Sequence, residues 1–195
     1  MRDEEYRDGL TENKIVVDAL KKHNIVKIVQ AYSPGVLDLW LEEQKVPVDE
    51  IFNYLSGALL FHLDNGDVVG FAGDTLKCSV VSWFDTYNGQ EDDTNYYDRD
   101  WYSYMDSADS EYSSIDNWSH MINEKIISVT VLVIDQSEKK YFNDSLQRLV
   151  ILETKKGDMV LSYMLFDLLE GPSFPFTRKA DIPCDIWNKA KIVQL

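Results

Sequence analysis

The side chains able to do acid, base or nucleophilic chemistry are few, and their spacing does not bring them together. His23, His62 and His120 are the histidines of the chain, and none lies beside a G-x-S-x-G elbow that would activate a serine. His62, between Phe61 and Leu63, reads as a histidine on one face of a strand. His120 adjoins Trp118 and an acidic stretch, where it is placed to form a pH-sensitive hydrogen bond. There is no C-x-x-C pair, no H-E-x-x-H and no other His or Cys pair at zinc spacing, so neither a metal nor a cofactor is expected. Gly66, Gly70 and Gly73 follow a hairpin turn rather than joining a strand to a helix. No lysine follows at phosphate-loop spacing, so they read as turn glycines. Asp98 and Asp100, flanking Arg99 beside Trp101, have the residue types of a glycosidase site, but acidic density alone makes such pairs by chance. The expectation is a protein that is not an enzyme.

One segment does concentrate a different chemistry. From Asp85 to Asp116 there are ten carboxylates against Arg99 alone, and Ile115 is the sole Val, Ile or Leu. A packed strand or helix face cannot be built from that set. Yet Tyr87, Tyr96, Tyr97, Trp101, Tyr102, Tyr104, Tyr112 and Trp118 sit among the acids, and a merely solvated loop has no use for so many rings. A loop this long is either simply disordered, or its rings fold back over one end of a sheet as a satellite core, or they stand at an interface. At an interface, Tyr and Trp supply contact area at low entropic cost, and carboxylates speed encounter with a basic partner. The partner-binding set expected on the interface reading is Asp92, Asp93, Tyr96, Tyr97, Asp98, Asp100, Trp101, Tyr102, Tyr104, Asp106, Asp109, Glu111 and Tyr112. The same acids are calcium-type donors, but no twelve-residue loop with a central glycine and a terminal glutamate is present.

Behind that segment the chain reads as one α+β domain over residues 1–195, with 86–120 an acidic aromatic loop or insertion within it. Thr11 caps a helix to about His23, and Ile25 to Tyr32 is a short strand. Ser33-Pro34 opens a second helix, and Asp49-Glu50 opens a third that ends at Gly57. Leu59–Leu63 and Val68–Phe71 flank Asn65-Gly66 as a hairpin with positive φ at both turn positions, and a strand from Leu76 to Phe84 continues the meander. Ile126–Ile134 is a β-branched run suited to burial on both faces. Leu146–Thr154 and Met159–Phe166 form a second hairpin, and Asp185 caps a final helix reaching Lys191. Short N-terminal helices followed by a mostly antiparallel sheet of about six strands is the expected architecture.

The net charge of -15, from 34 acidic and 19 basic side chains, repels phosphate backbones and anionic membranes and attracts cationic surfaces. Direct nucleic-acid or membrane binding is therefore not expected. Cys78 and Cys184 are too few for a disulfide framework and read as buried or partly buried thiols of a reducing compartment. With no apolar leader and no membrane-length apolar run, a cytoplasmic location is expected.

In size, acidity, α+β character and its acidic segment the chain resembles the immunity proteins of bacterial toxin systems. The resemblance implies a stoichiometric inhibitor that occludes the basic active-site surface of a cognate toxin, possible targets including a nuclease whose phosphate substrate the acids mimic. The alternative class is an adaptor or regulatory interaction module, including a DNA-mimic inhibitor of a DNA-binding protein.

Overall fold

A computed structural model describes residues 9–43, 47–55, 57–74, 79–91, 101–114, 118–134, 147–162 and 178–195. Its elements run α1 (Lys14–Lys22), β1 (Ile25–Tyr32), α2 (Pro34–Glu43), a 3-10 segment (Val48–Tyr54), β2 (Leu59–Leu63), β3 (Val68–Asp74), β4 (Ser79–Tyr87), β5 (Gln90–Glu91) and β6 (Ser103–Asp106). They continue with β7 (Ser128–Ile134), β8 (Gln147–Glu153), β9 (Asp158–Ser162), a 3-10 turn (Lys179–Asp181), α3 (Cys184–Lys189) and β10 (Ala190–Gln194).

The fold is α+β, and its strands divide into two antiparallel sheets rather than one. The first has six strands in the order β5-β4-β3-β2-β1-β6; the second has four, β10-β7-β8-β9. Period-2 alternation explains how they stack. Leu59, Phe61 and Leu63 of β2, Val69 and Phe71 of β3 and Val80 of β4 point one way. There they meet Val129, Val131, Val150, Leu152, Met159 and Leu161 of the second sheet in one continuous core. Leu20, Ile51, Phe52 and Leu55 from the helical segments close its margins. Burying each large apolar side chain of this set contributes about 1.5–3 kcal/mol before entropy is counted.

Both sheets also bury part of their second face. Val29, Ala31, Leu60, Val68, Ala72, Val81 and Trp83 form a cluster on the outer side of the six-stranded sheet. Leu132, Leu149, Ile151 and Val160 pack under Ile182, Ile186 and Trp187 on the outer side of the other. The β-branched run of β7 is thus buried on both faces, as its composition required.

Several local expectations are corrected. Asn13, not Thr11, occupies the N-cap of α1, and its side-chain amide donates instead to the Ser82 carbonyl at 3.0 Å, tying the helix start to β4. Asn65 has no positive φ. Gly66 donates to Leu63 O at 3.0 Å and carries φ +90°, so the β2–β3 connection is a three-residue loop with one left-handed glycine. The turn with positive φ at both central residues is Asn88 (φ 52°) and Gly89 (φ 76°), between β4 and β5. The final helix stops at Lys189 because Ala190 turns extended and β10 pairs with β7 from Ala190↔Ile134 to Gln194↔Thr130. Cys184, expected to be buried or partly buried, is exposed: it opens α3, and Ile186 takes the core-facing position. Cys78 lies outside the described residues.

Candidate functional site

Described parts of the acidic aromatic stretch are built into the six-stranded sheet. They supply both of its rims: β5 pairs with β4 at one edge, and β6 pairs with β1 at the other, in register from Tyr32↔Ser103 to Val29↔Asp106. Alternation along β6 then sorts its side chains. Met105 points into the core between the sheets, while Tyr104 and Asp106 point to the outer face.

The rings divide likewise. Tyr102 packs against the outer-face cluster, Tyr112 and Trp118 pack against the main core, and Trp118 meets Phe52 edge-on with centroids 4.9 Å apart. The Trp118 indole donates to Asn53 Oδ1 at 3.1 Å, and the Phe52 amide donates to the Tyr112 carbonyl at 2.9 Å. Those three rings therefore serve packing. Trp101 is 76% exposed and Tyr104 44% exposed. Of the thirteen residues expected to bind a partner, Asp92, Asp93, Tyr96, Tyr97, Asp98 and Asp100 lie outside the described residues. Tyr104 and Asp106 lie on β6, Trp101 just before it, and Asp109 and Glu111 in the turns that follow it.

The carboxylates there are organised by their own turn. Asp106 Oδ1 accepts from the Ala108 amide and Asp109 Oδ1 from the Glu111 amide, each at 2.9 Å; Ser113 N reaches Asp109 O at 2.9 Å. Glu111 accepts the phenolic hydrogen of Tyr112, which raises the Tyr112 pKa. Asp106 also pairs with Lys27 of β1 at 3.0 Å.

Sequence reasoning missed the neighbours that strand register brings to this rim. Lys27 and His62 are opposite one another on β1 and β2 and share the outer face with Asp106, and Asp85 sits at the bulge where β4 slips against β3. His62 is half-buried. Desolvation pushes its pKa below 6.5, Lys27 pushes it the same way, and Asp85 and Asp106 oppose. The alternation of β1 and β2 carried this signal; their mutual register did not show in the sequence. Beside the rim a cleft of about 480 Å³ is lined by Lys27, Asp106, Ser107, Trp118, Asn123 and Lys156. Its charges are largely matched, since Lys156 pairs with Glu124 at 2.9 Å.

His120 lies elsewhere, at the β8–β9 turn. Its Nε2 faces the Asp158 carbonyl at 2.9 Å and so carries the proton, and Arg178 donates to the same oxygen at 2.9 Å. Nδ1 is buried with no partner among the described residues, and burial followed by the Arg178 charge holds the pKa below 6.5. Among the described residues no group of three or more His, Cys, Asp or Glu side chains could hold a metal, and no helix is long and apolar enough to cross a membrane.

Compared with known proteins, the chain matches no family model, no curated protein and no solved structure.

Proposed function

We propose that this chain is a non-catalytic binding protein that docks a cationic protein surface on the β6 rim, in the role of an immunity protein occluding the basic surface of a cognate bacterial toxin. The observation that supports this reading is Trp101, the most exposed large apolar side chain among the described residues, two residues before an edge strand that carries Tyr104 and Asp106 on its outer face and leads into the turns of Asp109 and Glu111. Interface anchors have this composition: an aromatic contributes area, and nearby carboxylates select and steer a basic partner. Pairing of β6 with β1 holds Tyr104 and Asp106 before any partner arrives, which lowers the ordering cost of association. The adjoining cleft gives a partner side chain a place to insert beside the Trp118 ring.

The test is co-expression with the product of the neighbouring gene. An immunity role predicts a stoichiometric complex and rescue from that product's toxicity, both lost in Trp101→Ala/Tyr104→Ala with the fold intact. No complex and no rescue would reject the immunity role. A complex indifferent to both substitutions would reject the rim as its contact.

A further inference from the structure

The outermost strand of the four-stranded sheet, β10, is an unguarded edge. Sheets usually blunt their edges with proline, a bulge or a very short strand. β10 has five residues and no proline. Its ladder with β7 runs from Ala190↔Ile134 to Gln194↔Thr130 without a register shift, whereas the β7–β8 ladder slips between Leu132 and Val133. The opposite edge of the sheet, β9, is buried from Met159 to Ser162. In β10, by contrast, Lys191, Ile192 and Gln194 are exposed.

The register fixes which backbone groups are open. Leu195 N donates to Val129 O at 2.9 Å, so these two form a hydrogen-bonded pair of the antiparallel ladder, and by alternation so do Val193 with Val131 and Lys191 with Val133. The N–H and C=O groups of Ile192 and Gln194 and the C=O of Ala190 therefore point away from β7, where no further strand lies among the described residues. The Ala190 N–H is already bonded to Ile186 O. Side chains follow the same alternation. Val193 packs on the main core and Ala190 on the outer-face cluster, and Ile192 shares that outer face opposite Leu132 yet stays 54% exposed. Gln194 accepts from Thr130 Oγ1 at 2.9 Å and donates to Ser128 Oγ at 2.6 Å, which holds the end of the strand against β7.

A second copy of the same strand, antiparallel, satisfies this pattern. With Ile192 opposite Ile192 of the second copy, the two residues exchange N–H···O bonds, and each Gln194 N–H reaches an Ala190 carbonyl. Nothing is asked of the Ala190 N–H, the outward donor already committed. Moving the register to set Ile192 against Gln194 would leave the Ala190 carbonyl open and lose the match of apolar side chains across the strands. The chosen register puts Lys191 across from Val193 rather than from itself, so like charges are not directly opposed. Residues 190–195 carry no carboxylate, so this edge offers a basic partner no selective contact, and two chains of net charge -15 meet here with least repulsion. We propose that β10 is a self-association edge, at which two copies of the chain pair antiparallel about a two-fold axis at Ile192 and join their four-stranded sheets into one.

The experiment is sedimentation equilibrium of the full chain from micromolar to millimolar concentration, where a reversible monomer–dimer equilibrium is expected. Ile192→Asp sets two carboxylates opposite each other and should weaken the dimer roughly tenfold or more. Ile192→Pro removes an N–H that makes no bond to β7 and should weaken it likewise while the edge strand persists. Ile15→Asp, at a comparably exposed isoleucine on α1 (61%), should leave the dimer unchanged. Circular dichroism checks that the variants fold. Added salt should tighten the dimer by screening repulsion between two acidic chains over about 10 Å at 0.1 M, the reverse of its effect on a cationic partner at the β6 rim. Ile192→Cys in a Cys184→Ser background should give, on mild oxidation, a covalent dimer linked at position 192 of both chains, since a hydrogen-bonded antiparallel pair holds its Cα atoms about 5.5 Å apart. The proposal is overturned by a chain that stays monomeric throughout, by a dimer that survives both the Asp and the Pro substitution, by a dimer that dissociates as salt rises, or by peptide mapping that places the crosslink elsewhere.

Discussion

Asp67 accepts a 2.8 Å hydrogen bond from the backbone amide of Asn88, joining the turn after β2 to the turn after β4. Its other oxygen takes the Asn65 amide at 2.6 Å, and the residue is only 4% exposed. One buried carboxylate thus satisfies donors from two successive hairpin connections on the same end of the sheet. Asp67→Ala leaves the Asn88 donor unpaired and is expected to cost about 1–3 kcal/mol. Urea denaturation reads this directly; an unchanged midpoint would show that the linkage has no weight in stability.

Gly70 predicts a steric coupling. A Cβ added there would sit 2.4 Å from the Trp83 indole, which covers it from β4. Gly70→Ala should destabilise by about 1–3 kcal/mol through overpacking. The cost should shrink in a Trp83→Leu background, where the ring is gone. Additive losses in that double-mutant cycle would refute the direct contact.

The contrast between these two sites shows what was legible in the sequence. Alternation in Leu59–Leu63 and Val68–Phe71 identified β2 and β3, and the β-branched composition of β7 revealed its burial on both faces. Strands whose existence depends on a partner were not legible. β5 has two residues and β6 four, with Met105 the one buried side chain of β6, and Ile192-Val193 of β10 continue a helical pattern until β7 is present to pair with them. Turn chemistry was equally ambiguous, because Asn65-Gly66 and Asn88-Gly89 are the same dipeptide and only strand register decides which takes two positive φ angles. At the candidate site the residue types were readable. Their division into packed rings (Tyr102, Tyr112, Trp118) and exposed ones (Trp101, Tyr104) was not, since it follows from which strand face each occupies.

Stability should fall as the solution is acidified, in two steps of known sign. His62 and His120 have folded pKa values below 6.5, so the unfolded chain binds protons first and their contribution is lost as pH drops below 6.5. Glu153 is held below its ordinary 4.5, chiefly by its hydrogen bond from Lys179 and next by that from Ser128. Its contribution is complete above 4.5 and is lost on further acidification. Urea midpoints measured from pH 7.5 to 3.5 should decline throughout, and His62→Gln should flatten the upper step. A midpoint that rises between pH 7.5 and 5.5 would contradict the assignment.

Trp101 separates function from stability. Its side chain is 76% exposed, so Trp101→Ala should change folding free energy by no more than about 0.5 kcal/mol. On the proposed reading the same change weakens partner binding by about 2 kcal/mol or more. Calorimetry with the purified partner measures the second quantity and thermal denaturation the first; a large stability loss would mean the ring packs within the fold.

Association at the β6 rim should be ionic-strength dependent. Asp106, Asp109 and Glu111 act on an approaching cation over a screening length of about 10 Å at 0.1 M salt. Stopped-flow association rates with the partner should fall between 0.05 and 0.5 M salt, by roughly tenfold or more if steering governs encounter. Rates that stay flat would remove steering from the mechanism.

The pairing of Met105 with Gln30 and of Asp106 with Val29 bears on how such a surface can diversify. Sliding β6 by one residue along β1 would present a carboxylate to the core and the methionine to solvent. Insertions and deletions within the strand are therefore closed to it, and if the rim binds a partner as proposed, new specificities there must arise by exchanging side chains at Tyr104 and Asp106 while the backbone stays fixed.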